Sequence, residues 1–167
     1  MKETAMRKSL LMLASFVCLA ATASAQDGPK ISVGYAYLRY LETGGGSATV
    51  GAFVSLAGGG ATALELDGGY HRDTQAGSTF ETFTVTAGPR FGFSSRTNAA
   101  PFMHLLGGLR RDRFQGVSNT SWGGMAGLGI DVSTAARVAL RLGADFQIFF
   151  DHGENVKTLR LGVGLTF

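Results

Sequence analysis

Between Thr158 and Phe167 the chain alternates without a break. Leu159, Leu161, Val163, Leu165 and Phe167 fall on one face of an extended strand, while Thr158, Arg160, Gly162, Gly164 and Thr166 fall on the other. Successive strand side chains point to opposite faces, so period two marks a sheet with two chemically different sides. The constraint lies in the size of the residues on each side. A soluble barrel turns its bulky apolar residues inward and covers its outside with charge; here the second face is small, hydroxylated or charged. Such a face suits a narrow interior. The bulky face then looks outward, and only lipid tolerates that much exposed Leu, Val and Phe.

The same signature recurs upstream. In Arg137–Phe150, Val138, Leu140, Leu142, Ala144, Phe146, Ile148 and Phe150 oppose Arg137, Ala139, Arg141, Gly143, Asp145 and Gln147, with Phe149 as the chemical exception. In Trp122–Val132, Trp122, Ala126, Leu128, Ile130 and Val132 oppose Gly123, Met125, Gly127, Gly129 and Asp131. In Phe80–Phe93, Phe83, Val85, Ala87, Pro89, Phe91 and Phe93 oppose Thr82, Thr84, Thr86, Gly88, Arg90 and Gly92. Weaker alternation places four more strands at Ile31–Leu41, Ala48–Ala57, Ala61–Tyr70 and Ala100–Arg110. Segments of about ten alternating residues match a tilted membrane strand.

The connectors differ in kind. Gly58–Gly60, Ser95–Ala99 and Ser133–Ala135 read as tight turns; Glu42–Ser47, His71–Ser78, Asp112–Asn119 and Asp151–Asn155 read as polar loops. The expected fold is therefore all-β, an eight-stranded antiparallel up-and-down transmembrane β-barrel with both termini at the turn end. In the outer-membrane layout the turns are periplasmic and the loops lie outside. The longest expected loops, His71–Ser78 and Asp112–Asn119, are too short for a large adhesive surface.

The first residues read as an export signal. Lys2, Arg7 and Lys8 precede the apolar stretch Leu10–Ala23, and Ala23 and Ala25 frame a small-residue cleavage site before Gln26. The domain reading is residues 1–25 as a cleaved signal peptide, 26–30 as a short periplasmic segment and 31–167 as the barrel, located in the cell outer membrane. Cys18, the one cysteine, lies inside the signal without a lipoprotein context, so no disulfide framework or thiolate site is expected in the mature chain. The formal charge of +3 also owes much to the signal. Removing Lys2, Glu3, Arg7 and Lys8 leaves +1, which points away from nucleic acid.

Parity assigns Glu65, Asp67, Arg90, His104, Arg110, Arg141, Asp145 and Arg160 to the interior. Charges in so tight a space are costly unless paired, so they are expected to form a hydrogen-bonded network. A network that plugs the barrel is the leading reading, and a gated narrow pore the alternative. Arg111 and Arg113 at the outer rim suit lipopolysaccharide phosphates. Tyr35, Tyr37, Tyr40, Tyr70, Phe80, Trp122, Phe150 and Phe167 lie near strand ends, where an aromatic girdle meets headgroups.

Other chemistry fits poorly. His71 and His152, placed in loops, could meet Ser78 or Ser118 with Asp73 or Glu154, but without a closely spaced hydrolase arrangement. Asp112, Asp151, His152 and Glu154 lack metal-ligand spacing, and GGMAGLG has no helix after it to make a phosphate loop. No catalytic residue, metal or cofactor is expected.

VGYAYLRY, AGPRFGF, APFMHLLGG, GGMAGLGIDV and LRLGVGLTF together resemble the OmpA-like small outer-membrane β-barrel proteins, the "outer membrane protein beta-barrel" group. The resemblance spans the region after the signal and implies dealings with periplasmic chaperones and the outer-membrane assembly machinery. That machinery reads an alternating last strand ending in an aromatic, which Leu161, Val163, Leu165 and Phe167 match. The peptidoglycan-binding domain that follows the OmpA barrel has no counterpart here, so wall anchoring is not carried over. The expected role is a monomeric, non-enzymatic envelope protein with a structural, lipid-interacting or surface-contact role. A small porin is the alternative, and a lipid-modifying enzyme is a more distant one.

Overall fold

The alternating segments form eight strands: β1 (Lys30–Tyr40), β2 (Ala48–Ala57), β3 (Thr62–Gln75), β4 (Ser78–Gly92), β5 (Ala99–Phe114), β6 (Val117–Ala135), β7 (Val138–Asp151) and β8 (Glu154–Thr166). The computed structural model describes residues 28–41, 48–75, 78–93, 97–135, 137–151 and 154–167. The expected signal segment with Ala23, Ala25 and Cys18, the expected loop Glu42–Ser47, and His152 lie outside these residues.

Every strand pairs antiparallel with its neighbour in sequence, and β1 pairs with β8 to close the barrel. The seam runs from Ser32 opposite Thr166 to Tyr40 opposite Thr158. Ile31 and Phe167 extend it by exchanging backbone hydrogen bonds of 3.1 and 2.8 Å. Closure removes the free edges that an open sheet would present inside a bilayer.

The outward face carries the bulky apolar rows, among them Leu64 and Leu66, Phe83 and Val85, Leu105 and Leu109, and Leu161, Val163, Leu165 and Phe167, all exposed. The interior departs from a purely small and polar filling, because Leu38, Phe53, Phe102, Leu106 and Phe149 are buried there. Phe149 thus obeys strand parity, and only its chemistry is unusual for the inner face.

Three expectations about the loop end need correction. His71–Gln75 belongs to β3 rather than to a loop, and the expected loop Asp112–Asn119 is a hairpin in which Phe114 pairs with Val117. Gln115 (φ 47°) and Gly116 (φ 85°) turn it, and two successive left-handed residues give the twist that a two-residue hairpin needs. The expected loop Asp151–Asn155 likewise shrinks, with Asp151 opposite Glu154. In these segments the outward residues are largely polar, so the contrast between bulky and small faces fades while the hydrogen-bond ladder persists. At the other end β6 runs through the expected turn Ser133–Ala135, with an irregular register against β7.

Two members of the expected aromatic girdle also turn inward. Tyr40 and Phe80 meet edge to face, with ring centroids 5.8 Å apart, over the loop-side mouth. Tyr35, Tyr37, Tyr70, Trp122, Phe150 and Phe167 are exposed on the outer face.

Candidate functional site

The inner faces of the strands bring charged side chains together at mid-height. Asp145 and Arg160 are register partners on β7 and β8, as are Asp131 and Arg141 on β6 and β7. Opposite charges directly across a ladder attract, and such pairs are the local unit from which the network grows.

Arg160 donates from Nε to Asp145 Oδ2 at 2.6 Å and from Nη1 and Nη2 to the two Asp67 oxygens at 2.7 and 3.2 Å. It thereby ties β8 to β3, across the lumen, as well as to β7. His104 stands between Asp145, 2.8 Å from Nε2, and Glu65, 2.9 Å from Nδ1. Ionised carboxylates only accept, so both contacts are hydrogen bonds when the ring carries both protons.

Arg141 donates to Asp131 from Nε at 2.8 Å and Nη2 at 3.1 Å, and its Nη1 reaches Ser55 at 2.8 Å and Glu65 at 3.5 Å. Arg90 completes the layer, donating to Asp131 at 2.8 Å. Thr166 Oγ1 carries the network onward from Asp131 to Ser32, at 3.4 and 2.8 Å. Every strand contributes a side chain.

Four carboxylates (Glu65, Asp67, Asp131 and Asp145) thus face three guanidiniums and one imidazole, and the layer is neutral with His104 doubly protonated. Two of the guanidiniums also rest on Phe102, with Arg90 at 3.8 Å and Arg141 at 4.7 Å from the ring centre. A desolvated cation over an aromatic face is stabilised by the ring quadrupole, which accounts for a bulky aromatic in this interior. Gly127 is required beside the layer, since a Cβ there would occupy the space of Asp145 Oδ1 and His104 Nε2.

The space left between Phe53, Glu65, Asp67, His104, Arg141, Asp145 and Arg160 is about 20 Å³. That is room for about one water. Toward the terminal end the lumen widens into a vestibule of about 700 Å³, with Asp131 and Thr166 among its walls beside Lys30, Ser133 and Arg137.

Arg110 does not join this layer. It lies nearer the loop end, donating to Asp112 from Nε and Nη2 at 2.8 and 3.0 Å and to Tyr40 Oη at 2.8 Å. Thr82 donates to Asp112 at 2.6 Å and lies 2.9 Å from Tyr40 Oη. On the inner wall, Thr49, His71, Thr84 and Thr86 are buried, with side-chain polar atoms that have no protein partner among the described residues.

His71, expected in a loop, is an inward residue of β3, whereas Ser118 hydrogen-bonds the exposed Arg111 on the outer face. The wall separates them, so they form no hydrolytic pair. No cluster of three or more His, Cys, Asp or Glu side chains suited to a metal occurs among the described residues.

Asp131, Asp112, Tyr40 and Phe102 were not expected in the interior network. Asp131 and Phe102 have the inward parity of their strands, and the register partner Arg141 is the signal that picks out Asp131. Outside, Tyr70, Glu81, Phe83, Arg111 and Arg113 line a cleft of about 320 Å³ on β3, β4 and β5.

A closed eight-stranded barrel, bulky outside and charge-filled inside, is the build of a small bacterial outer-membrane protein, and residues 9–167 match the family model for the outer membrane protein beta-barrel domain. The chain belongs to this family. Its members' setting, the outer membrane, is accordingly where this barrel resides.

Among solved structures, the barrel is similar to Neisserial surface protein A, at 15% identity and a TM-score of 0.72, covering 84% of this chain and 96% of that one. It is also similar to Ail, the attachment invasion locus protein of Yersinia pestis, at 19% identity and a TM-score of 0.60, covering 85% and 100%. OprG of Pseudomonas aeruginosa follows at 11% identity and a TM-score of 0.55, covering 86% and 98%. These likenesses establish the shared fold. No curated protein matches the sequence.

Proposed function

We propose that the protein is a non-enzymatic outer-membrane barrel whose lumen is shut by its own charge layer and whose working surface is its outside and its loop-end rim. The observation that carries the reading is the mid-height layer of Arg90, His104, Arg141 and Arg160 against Glu65, Asp67, Asp131 and Asp145, with about 20 Å³ free beside it. A hydrated ion does not pass such a layer without breaking ion pairs whose partners would be left buried and unpaired. With both termini at one end, the loop end is the outer surface. Ail has been solved with the heparin analogue sucrose octasulfate, which makes contact with external anions a reasonable role for a barrel of this shape. The outward row Leu161, Val163, Leu165 and Phe167 serves as the assembly signal read during insertion.

The test is conductance. Purified, refolded barrel in a planar lipid bilayer is expected to give no regular steps under applied voltage. Uniform steps from the unmodified protein would overturn the closed-lumen reading in favour of a small porin. An Arg141→Ala, Arg160→Ala variant that remains folded is expected to conduct where the parent does not.

A further inference from the structure

Charge on the outer wall is confined to one end. Among the described residues, no outward side chain of the apolar belt is charged from the terminal end up to the level of Tyr70 and Phe83. Immediately toward the loop end the outward side chains include Arg39, Arg72, Arg111, Arg113 and Lys157, against one acid among the described residues, Glu81. Two adjacent register rows build the densest part of this collar. Tyr70, Phe83 and Arg111 form the row at the edge of the belt, and Arg72, Glu81 and Arg113 form the next row outward.

We propose that the cleft on these rows seats the phosphorylated head of an outer-leaflet glycolipid of the lipopolysaccharide type, the acyl chains lying along the apolar wall below. This rests on the outward placement of the loop end argued above. The cleft offers about 320 Å³ between two aromatic rings and two guanidiniums. Arg111 is steadied by a 3.0 Å hydrogen bond from Nη2 to Ser118 Oγ, and Arg113 has no side-chain partner among the described residues. Glu81, which also lines the cleft between Arg72 and Arg113, accepts a 2.9 Å hydrogen bond from the Tyr70 hydroxyl.

A guanidinium fork matches phosphate oxygens in pairs. Tyr70 and Phe83 sit at the boundary where aromatic rings meet headgroups. The position of the collar favours a lipid over a free polyanion, because it abuts the exposed apolar wall rather than the mouth of the lumen.

The experiment compares the refolded barrel with an Arg111→Ala, Arg113→Ala variant in zwitterionic detergent, counting bound lipid by native mass spectrometry. The probes are bisphosphorylated lipid A, its dephosphorylated form, inorganic phosphate and a soluble polysulfated sugar. The parent is expected to prefer the bisphosphorylated lipid, and the variant to bind it roughly tenfold more weakly with its binding of the dephosphorylated form unchanged. An Arg111→Lys, Arg113→Lys variant, which keeps charge but loses the fork, should fall between, and Glu81→Gln should tighten binding. Equal heat-modified gel mobility checks that each variant is folded.

Indifference of the parent to the phosphates, or equal lipid binding by parent and the alanine variant, overturns the inference. Inorganic phosphate or the sulfated sugar binding as tightly as the lipid assigns the collar to soluble anions and overturns the lipid assignment. Bilayer conductance separates the two proposals: a silent barrel without lipid preference refutes only this one, and a conducting barrel with lipid preference refutes only the closed lumen.

Discussion

Replacing Arg160 with Met isolates the energetics of the charge layer. The guanidinium is 4% exposed and is the partner that holds Asp67, itself 2% exposed, through both carboxylate oxygens. Asp145 loses its 2.6 Å bond but keeps His104 at 2.8 Å. Removing one side of a buried pair strands the other charge, so Arg160→Met is expected to cost about 3–5 kcal/mol. Asp67→Asn leaves Arg160 bound to Asp145 and should cost less, about 2–3 kcal/mol. In the double variant the stranded charge is gone, and the loss should fall short of the sum of the singles by about 2–3 kcal/mol. Urea unfolding of refolded protein in detergent, followed by fluorescence of the one tryptophan, Trp122, and by gel mobility, reads all three. An Arg160→Met variant within about 1 kcal/mol of the parent, or strictly additive singles, would refute the argument that this pair is a desolvated, mutually dependent unit.

Two further outcomes test packing and assembly. Gly127→Ala places a methyl where Asp145 and His104 meet and is expected to destabilise by about 2 kcal/mol, whereas Gly107→Ala, on the outer wall with its nearest neighbour, the Gly123 carbonyl, 3.7 Å away, should be neutral in the same unfolding assay. Deleting Phe167 removes the outward aromatic and the bonds to Ile31, and should lower outer-membrane levels in cells far more than refolding yield in detergent; undiminished levels in the membrane fraction would count against its role in assembly.

The membrane-crossing part was legible because a bilayer enforces one rule over the whole outer wall. In Thr158–Phe167 each outward residue is large and apolar and each inward one small, hydroxylated or charged, and the structure follows that division residue by residue. The rule fails where its cause stops acting. In His71–Gln75 and Arg111–Phe114 the outward residues are polar or charged rather than large and apolar, and a polar strand then reads like a loop. It also fails inside, since Phe53 and Phe102 obey parity but not the expectation of small residues: Arg160 lies 5.7 Å from the Phe53 ring, and Arg90 and Arg141 cover Phe102. Parity alone places Arg110 with the other inward charges. Its height along the barrel, which depends on register, puts it with Asp112 and Tyr40 instead.

The direction of the Arg160 contacts bears on how the chain knows it has finished folding. Seven of the eight strand pairings join sequence neighbours and can form as successive hairpins; the β1–β8 seam alone needs the two ends of the barrel to meet. A backbone ladder is indifferent to which strands it joins, so it offers little protection against a sheet that closes one strand early or accepts a strand from another chain. Arg160 reaches Asp67 only when the last strand has arrived three places from the third around the ring, and His104 bridges Glu65 and Asp145 only at the diameter of that ring. A barrel with seven strands, or nine, would take Asp67 away from Arg160 and break the His104 bridge between Glu65 and Asp145. The charges thus count the strands, and a miscount is penalised where solvent cannot relieve it.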